Sequence, residues 1–140
     1  MKPKKVLFLC TGNSCRSQIA EAITNARLSD AWQAFSAGTD PTGYVHPKAI
    51  EVLQEIGILH QGTSKSVENM QDIPFDLVVT VCDSAAEECP LWLGPGRRVH
   101  HSFPDPAKAT GTEEQITATF RQVRDEIAFE IPILLGKYTP

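Results

Sequence analysis

The sequence predicts a single α/β domain over residues 1–140, with a four-stranded parallel sheet and helices on both faces. Three observations predict this fold. Short apolar segments alternate with stretches of helical periodicity, as in β-α-β units. The 140 residues are the length of one domain and contain no internal repeat or linker. The hydrophobic content of 41% is sufficient for one buried core.

Four predicted elements alternate in the first half of the chain. Residues 6–9 form a short apolar run that predicts a buried strand, and residues 17–29 have the apolar spacing of a helix. Residues 34–38 predict a second strand closed by a glycine. A second helix is expected over residues 46–57, because proline at position 47 fits a first helical turn and glycine at position 57 fits a C-terminal stop.

The alternation continues in the second half. Residues 76–82 are the clearest buried strand in the sequence. Residues 83–89 combine an N-capping aspartate with helix formers before a proline, which predicts a helix. Residues 98–103 predict the fourth strand. Residues 112–135 predict a long amphipathic helix that Pro132 must kink or interrupt.

Charge and hydropathy exclude two classes of partner. The 17 acidic and 13 basic residues give a net charge of −4, so the chain has no global attraction to nucleic acid or to an anionic membrane. No apolar stretch approaches the ~18 residues of a spanning helix, and the basic N-terminal leader precedes too short an apolar run for a signal peptide. We therefore expect a cytoplasmic protein whose four cysteines serve catalysis, redox chemistry or metal binding.

The segment from Cys10 to Ser17 lies at the predicted turn between the first strand and the first helix. Backbone N–H groups of such a turn and the positive end of the following helix bind anions and favour an ionised cysteine. Arg16 can donate two hydrogen bonds from its planar guanidinium, while Gly12 and Asn13 tolerate positive φ. Cys10 is therefore the candidate nucleophile of an oxyanion pocket. The predicted oxyanion-binding residues are Thr11, Gly12, Asn13, Ser14, Cys15, Arg16 and Ser17.

Two further cysteines follow the third predicted strand. Cys82 ends that strand at the same carboxyl edge as Cys10, where doubly wound sheets bind ligands. Cys82 and Cys89 would be about 10.5 Å apart along an intact helix, whereas a disulfide needs Cα atoms roughly 4.4 to 6.8 Å apart. If both lie in one helical segment, they can join only after it unwinds. The alternative is a pair of packed or exposed thiols.

Asp105 lies between two prolines, which limit where its carboxylate can point. It is a candidate general acid for a leaving oxygen, or else the residue of an ordinary Asp-Pro turn. A zinc site with His100 and His101 is disfavoured, because adjacent residues of a strand point to opposite faces. We therefore predict no metal and no cofactor.

With these residues in place, the chain resembles the thioredoxin-coupled arsenate reductases, which share the fold of low-molecular-weight protein tyrosine phosphatases. The resemblance implies that Cys10 attacks arsenate, that Arg16 and the loop amides hold its oxygens, and that Ser17 supports the thiolate. It also implies that Asp105 is the general acid and that Asn13 braces the loop. The similarity keeps its order over nearly the whole chain and rests on residues 10–18, residues 36–38, residues 77–82, Cys89-Pro90 and Asp105-Pro106.

The resemblance further implies a thiol relay. Cys82 attacks the sulfur of Cys10 in its arsenic adduct, two electrons pass to arsenic, and arsenite leaves. Cys89 then attacks Cys82 and frees Cys10, which moves the disulfide outward to thioredoxin, or to glutaredoxin with glutathione. Such a relay serves a bulky reductant that cannot enter a closed pocket. Nothing in the sequence requires more than a monomer.

Lys65 is a departure from the family pattern, because potassium-binding members have an acidic residue at this position. Potassium stimulation is therefore not expected. The ammonium group of Lys65 is expected to replace the charge of the ion and to brace the loop near Asn13 and Glu21.

Two other functions remain open from the sequence. The first is a phosphatase acting on phosphotyrosine or a small phosphate ester, since phosphate has the geometry of arsenate. Phosphatases of this fold tend to have aromatic residues after the Asp-Pro pair, where this chain has Ala107-Lys108, and they have no use for a Cys82–Cys89 pair. The second is a non-enzymatic redox sensor or oxyanion-binding regulator, which catalytic turnover would exclude.

Overall fold

One sheet of four parallel strands organises the molecule. The computed structural model describes residues 2–82, 92 and 94–138. The strands are β1 (Lys4–Cys10), β2 (Trp32–Gly38), β3 (Leu77–Thr80) and β4 (Arg97–His100). Their order in the sheet is β2-β1-β3-β4, so β1 and β3 are central. The carboxyl ends of β1, β2 and β3 meet at one edge, where Cys10 pairs with Gly38 and Leu9 pairs with Thr80.

Helices cover both faces of this sheet, as the sequence predicts. The α-helices are α1 (Arg16–Arg27), α2 (Pro47–Gln54) and α3 (Glu113–Gly136), and short 3-10 helices span Val67–Met70 and Pro106–Lys108. The three α-helices pack on the face that carries Val6 and Phe8 of β1. The opposite face, with Leu7 and Leu9, is covered by the 3-10 helix Val67–Met70 and by Trp92. Because β1 is buried on both faces, it is apolar without alternation from Val6 onward.

The starts of two helices agree with the capping residues in the sequence. His46 is the N-cap of α2, and its Nδ1 accepts a hydrogen bond of 3.1 Å from the backbone N of Lys48. Thr112 and Gln115 form a capping box at the start of α3. The turn after α2 closes at Gly57. Its φ of +82° favours glycine, because a Cβ atom makes this backbone conformation unfavourable.

The predicted strands are longer than the observed ones at the carboxyl edge. β3 ends at Thr80 and β4 at His100, where sequence patterns extend them to residues 82 and 103. The backbone N of His101 still donates to Thr80 O at 2.9 Å, but Phe103 N donates to Val81 O at 3.1 Å. A regular parallel ladder would join residue 103 to residue 82. The register therefore slips by one residue where the site begins, and the strand assignment stops.

Pro132 does not interrupt the last helix, and the kink that is the other expected effect of this residue stays a prediction. Helix α3 runs from Glu113 to Gly136 with Pro132 inside it. A proline in a helix costs one intrahelical hydrogen bond, but Ile127, Ile131 and Leu135 are buried on this helix and hold its apolar face on the core. Among the described residues, no helix is both long enough and apolar enough to cross a membrane.

Candidate active site

The candidate site begins where β1 ends. Cys10 is the last residue of β1, and α1 begins at Arg16, so residues 11–15 form the loop between them. Asn13 has φ of +49° and is the only described residue other than glycine with positive φ. The left-handed conformation that the sequence allows at Asn13 is thus present, and it turns the loop back over the end of the strand.

The sulfur of Cys10 is enclosed by hydrogen-bond partners. Its Sγ lies 2.9 Å from Ser17 Oγ and accepts from the backbone N of Asn13 at 3.3 Å. The side-chain Nδ2 of Asn13 donates to Ser17 Oγ at 2.8 Å. Because Ser17 Oγ already accepts from Asn13, its own hydrogen can point at the sulfur. Donors directed at a sulfur favour the thiolate, which is the nucleophilic form of cysteine.

Arg16 and Asp105 face each other across the site. Nη2 of Arg16 lies 3.7 Å from Oδ2 of Asp105, and Nη1 donates to the carbonyl of Phe103 at 3.4 Å. Arg16 is only 3% exposed. The other carboxylate oxygen of Asp105 accepts from the backbone N of Ala107 at 3.0 Å, which fixes the carboxyl group at the start of the 3-10 helix. A buried guanidinium beside a fixed carboxyl group suits both charge stabilisation and proton transfer.

These groups surround a pocket of about 380 Å³. Asn13 and Ser17 do not line it. They are fully buried behind the loop, where they hold Cys10 rather than face a ligand. The lining residues are Cys10, Thr11, Gly12, Ser14, Cys15, Arg16, Asp40, Thr42, Asp105, Ala107 and Lys108.

Sequence reasoning missed Asp40 and Thr42 in this lining. The segment that follows β2 contacts the loop of residues 11–15, called the anion loop below. Asp40 N donates to Thr11 O at 2.9 Å, and Thr42 N donates to Gly12 O at 3.0 Å. The proline and glycine of this segment mark it as a turn. Consecutive strands of a β-α-β unit usually lie side by side, and this rule would have indicated that the turn lies near the loop.

Gly38 lets β2 approach the loop closely. A Cβ at Gly38 would lie 2.3 Å from Thr11 O and 3.0 Å from Asn13 N. Both of these are backbone atoms that cannot rotate away. The glycine that closes the second predicted strand is therefore required by the shape of the anion loop.

Cys15 is a free thiol that does not compete with Cys10. It is 3% exposed and belongs to the core cluster beneath the loop. Burial raises the pKa of Cys15 to about 12, so it stays protonated at neutral pH. Cys15 therefore lines the pocket as a neutral side chain, whereas the sulfur of Cys10 accepts from the backbone N of Asn13 and lies beside the hydroxyl of Ser17.

Cys82 lies two residues beyond the end of β3, beside the carboxyl end of β1. It is fully buried and disulfide-bonded, while Cys10 and Cys15 are free. The backbone N of Val81 donates to Leu9 O at 2.8 Å, which ties this segment to the strand that ends at Cys10. Cys89, and the helix predicted over residues 83–89, lie outside the described residues, so the Cys82–Cys89 pairing stays a prediction.

Lys65 contacts Thr63, Glu21 and Asn13, the last of which belongs to the loop of residues 11–15. Its Nζ donates to Thr63 O at 2.6 Å and lies 3.8 Å from Oε1 of Glu21, and its backbone N donates to Asn13 Oδ1 at 2.8 Å. Burial raises the pKa of Glu21, while Lys65 and a hydrogen bond from Ser36 lower it. The ammonium group of Lys65 and a potassium ion cannot occupy this position at the same time.

At equal ionic strength, we expect the catalysed reaction to have the same initial rate in potassium chloride and in sodium chloride. The ammonium of Lys65 supplies the charge that an ion would supply, and general screening is the same for both salts. A potassium-specific increase in rate would contradict this expectation. The matched variant Lys65→Met should unfold at a lower temperature, because Glu21 loses its nearby cation.

The two adjacent histidines do not converge on a metal. His100 Nδ1 lies 2.7 Å from Thr80 Oγ1, whereas His101 Nε2 lies 2.8 Å from Glu130 Oε1. Their partners are on β3 and α3, so the rings point in different directions. Across the part of the chain that the structure describes, no group of three or more His, Cys, Asp or Glu side chains could hold a metal ion.

Comparison with known proteins agrees with this site. The family model described as "Low molecular weight phosphotyrosine protein phosphatase" matches residues 5–138. An arsenate reductase of Halalkalibacterium halodurans is 47% identical over 94% of both chains, and one of Bacillus subtilis is 44% identical over 91% of both. The crystal structure of an arsenate reductase from Archaeoglobus fulgidus superposes with a TM-score of 0.73 at 31% identity, over 94% of this chain and 98% of that one. The chain belongs to the low molecular weight phosphotyrosine protein phosphatase family and, within it, to the arsenate reductases.

Proposed function

We propose that this protein reduces arsenate to arsenite in arsenic detoxification, as one domain over residues 1–140. The observation that carries the proposal is the buried Cys10 sulfur at the base of a pocket that also contains Arg16 and Asp105. A pocket of about 380 Å³ accommodates a tetrahedral oxyanion with room for water. The arsenate reductases that align with nearly the whole chain support the choice of substrate.

In the first step, the Cys10 thiolate attacks arsenic and a sulfur–arsenic bond forms. One arsenic–oxygen bond breaks, and the hydroxyl leaves as water after taking a proton from Asp105. Arg16 and the amides of the loop stabilise the charge on the remaining oxygens. The 3.7 Å separation of Arg16 and Asp105 supports the proposal that both act on the same substrate.

In the second step, the thiolate of Cys82 attacks the sulfur of Cys10. A disulfide forms, the sulfur–arsenic bond breaks, and its electron pair stays on arsenic, which leaves as arsenite. Cys89 then attacks Cys82 and releases Cys10 as a thiolate. The position of Cys82, two residues beyond the strand that pairs with β1, supports such a step.

The final disulfide needs an external reductant. We propose thioredoxin as this reductant, with glutaredoxin and glutathione as the alternative. Because Cys10 is only 2% exposed, a protein donor cannot reach it directly and would reduce the disulfide at the end of the relay instead. Thiols that must be reduced after every turnover suit the cytoplasm. We also propose that the protein is a monomer, which sedimentation would test.

A coupled assay tests the proposal. Arsenate is mixed with the protein and with thioredoxin, thioredoxin reductase and NADPH, or with glutaredoxin, glutathione and glutathione reductase in place of the thioredoxin system. We expect arsenate-dependent NADPH consumption with thioredoxin. Absence of turnover with both donors would reject the reductase and favour a redox sensor that reacts only stoichiometrically.

A phosphatase is the second candidate, and one observation favours it. Cys10, Arg16 and Asp105 together are also the groups that phosphoryl transfer through a cysteine intermediate needs. Against an aromatic phosphate ester, the residues after Asp105 that line the pocket are Ala107 and Lys108 rather than aromatic ones. We expect slow hydrolysis of small phosphate esters as a side reaction.

A further inference from the structure

His60 belongs to no part of the mechanism above, yet it contacts the support of the anion loop. It lies between α2 and β3, does not line the pocket, and has a side chain that is 8% exposed. Its Nε2 is 2.7 Å from Oε1 of Gln18, a fully buried residue of α1. The sequence offers no signal for this contact, because the two residues are 42 positions apart.

The orientation of the Gln18 amide follows from its partners. Nε2 of Gln18 faces three carbonyl oxygens, namely Asn13 O at 3.1 Å, Asn13 Oδ1 at 3.0 Å and Thr63 O at 2.8 Å. Carbonyl oxygens only accept, so this end of the amide must be the NH₂ group. The other end is therefore the oxygen, and His60 must donate to it from Nε2–H.

The hydrogen bonds then run in one direction from His60 to the nucleophile. His60 donates to Gln18, and Gln18 donates to Asn13 Oδ1. Asn13 donates to Ser17 Oγ, and Ser17 can donate to Cys10 Sγ. Aligned donors polarise one another, so the last donor is strengthened by those before it.

We propose that His60 is a positioning residue, which through Gln18 and Asn13 holds the Ser17 hydroxyl directed at Cys10 and thereby stabilises negative charge on the sulfur of the nucleophile. The inference rests on the proposed function in that it takes Cys10 as the nucleophile.

Gly62 provides the space for this contact. A Cβ at Gly62 would lie 2.3 Å from His60 Nε2 and 2.5 Å from Gln18 Oε1, the two atoms that form the hydrogen bond. Both are the far ends of side chains, so a methyl group would displace them rather than the backbone. Gly62→Ala is therefore a way to separate His60 from Gln18 without altering either residue.

Burial, more than any neighbouring charge, keeps His60 neutral. Burial lowers the pKa of His60, and the positive charge of Lys65 lowers it further. Glu21 Oε2 of α1 lies 4.0 Å from His60 Nε2, which makes the hydrogen on Nε2 more favourable than one on Nδ1. The amide oxygen of Gln18 requires a hydrogen on Nε2, and the neutral Nε2–H tautomer of His60 supplies it.

Alkylation of Cys10 tests the proposal without arsenate. Fully reduced protein is treated with iodoacetamide at neutral pH and at a high pH where the thiol is ionised, and the labelled Cys10 peptide is quantified by mass spectrometry. In His60→Ala we expect the ratio of the neutral to the high-pH rate to fall about threefold or more, as loss of one hydrogen bond would produce. His60→Gln keeps an N–H donor at the position of Nε2 and should restore the ratio.

The controls separate positioning from folding and from the proposed function. Gly62→Ala should resemble His60→Ala, and His100→Gln, which changes an exposed histidine, should resemble the wild type. If His60→Ala does not fold, His60→Gln and Gly62→Ala decide the matter. An unchanged ratio in folded His60→Ala, or failure of His60→Gln to restore it, would overturn the inference. A wild type that shows this His60 dependence but does not reduce arsenate would reject only the proposed function.

Discussion

Cys10→Ser is expected to lose arsenate reduction, with a fall in initial rate on the order of a thousandfold or more. A serine hydroxyl next to Ser17 and Asn13 has donors around it but no base to remove its proton. It also cannot form the disulfide through which arsenic gains two electrons. The same variant should lose any phosphatase side reaction, because both reactions begin at this sulfur.

Cys15→Ala is the matched control for this loss. Cys15 lines the same pocket and is also a buried free thiol, but burial raises its pKa to about 12. We therefore expect the variant to retain most of the activity and to lose roughly 1 kcal/mol of stability, since the atom removed is small. Arsenite formation measured in the coupled assay distinguishes the two variants. Comparable losses in both would mean that the nucleophile has been assigned wrongly.

Cys89→Ser is expected to stop after a single equivalent of arsenite. Cys82 can still attack the Cys10 adduct, but the resulting Cys10–Cys82 disulfide has no third thiol to resolve it. Cys10 is only 2% exposed, so thioredoxin cannot reduce this bond efficiently. The fall in multiple-turnover rate should approach that of Cys10→Ser, while the first turnover keeps its rate.

Rapid quench with arsenite analysis, followed by peptide mapping of the crosslink, measures this outcome. Cys82→Ser is the companion variant and should release no arsenite at all. Both variants should hydrolyse p-nitrophenyl phosphate at the wild-type rate, because that reaction uses Cys10, Arg16 and Asp105 alone. Sustained turnover by Cys89→Ser with thioredoxin would remove the relay from the mechanism.

The fold and the position of Cys10 could be predicted because they depend on local patterns. The apolar run of β1, the small and polar residues of the loop and the start of α1 are contiguous in sequence. The hydrophobic periodicity predicts a strand, a turn and a helix in succession. The nucleophile in that turn therefore lies at the carboxyl edge of the sheet, where parallel sheets bind ligands. The predicted ends of β3 and β4 were wrong, because a one-residue slip in hydrogen bonding leaves no signature in apolar patterning.

Contacts between distant segments were less accessible. Asp40 enters the pocket only because β2 lies beside β1, and His60 reaches Gln18 only because Gly62 leaves room for its ring. The sequence indicates that Lys65 departs from the family pattern, but only the structure gives the distances from its ammonium group to Thr63 O and Glu21 Oε1. Such contacts depend on tertiary packing, and the periodicity of apolar residues in one sequence reports only local structure.

Cys10 is the final residue of β1, which pairs with a strand on each side. Its register partner in β2 is Gly38, and beyond β3 the backbone N of Val81 donates to the neighbouring Leu9 O. Because the backbone of β1 is held on both sides, Cys10 cannot move toward a reaction partner. Every group that reacts with Cys10 must come to it, whether that group is arsenic or another sulfur. Changes that stiffen the chain after β3 should therefore slow electron delivery without weakening substrate capture.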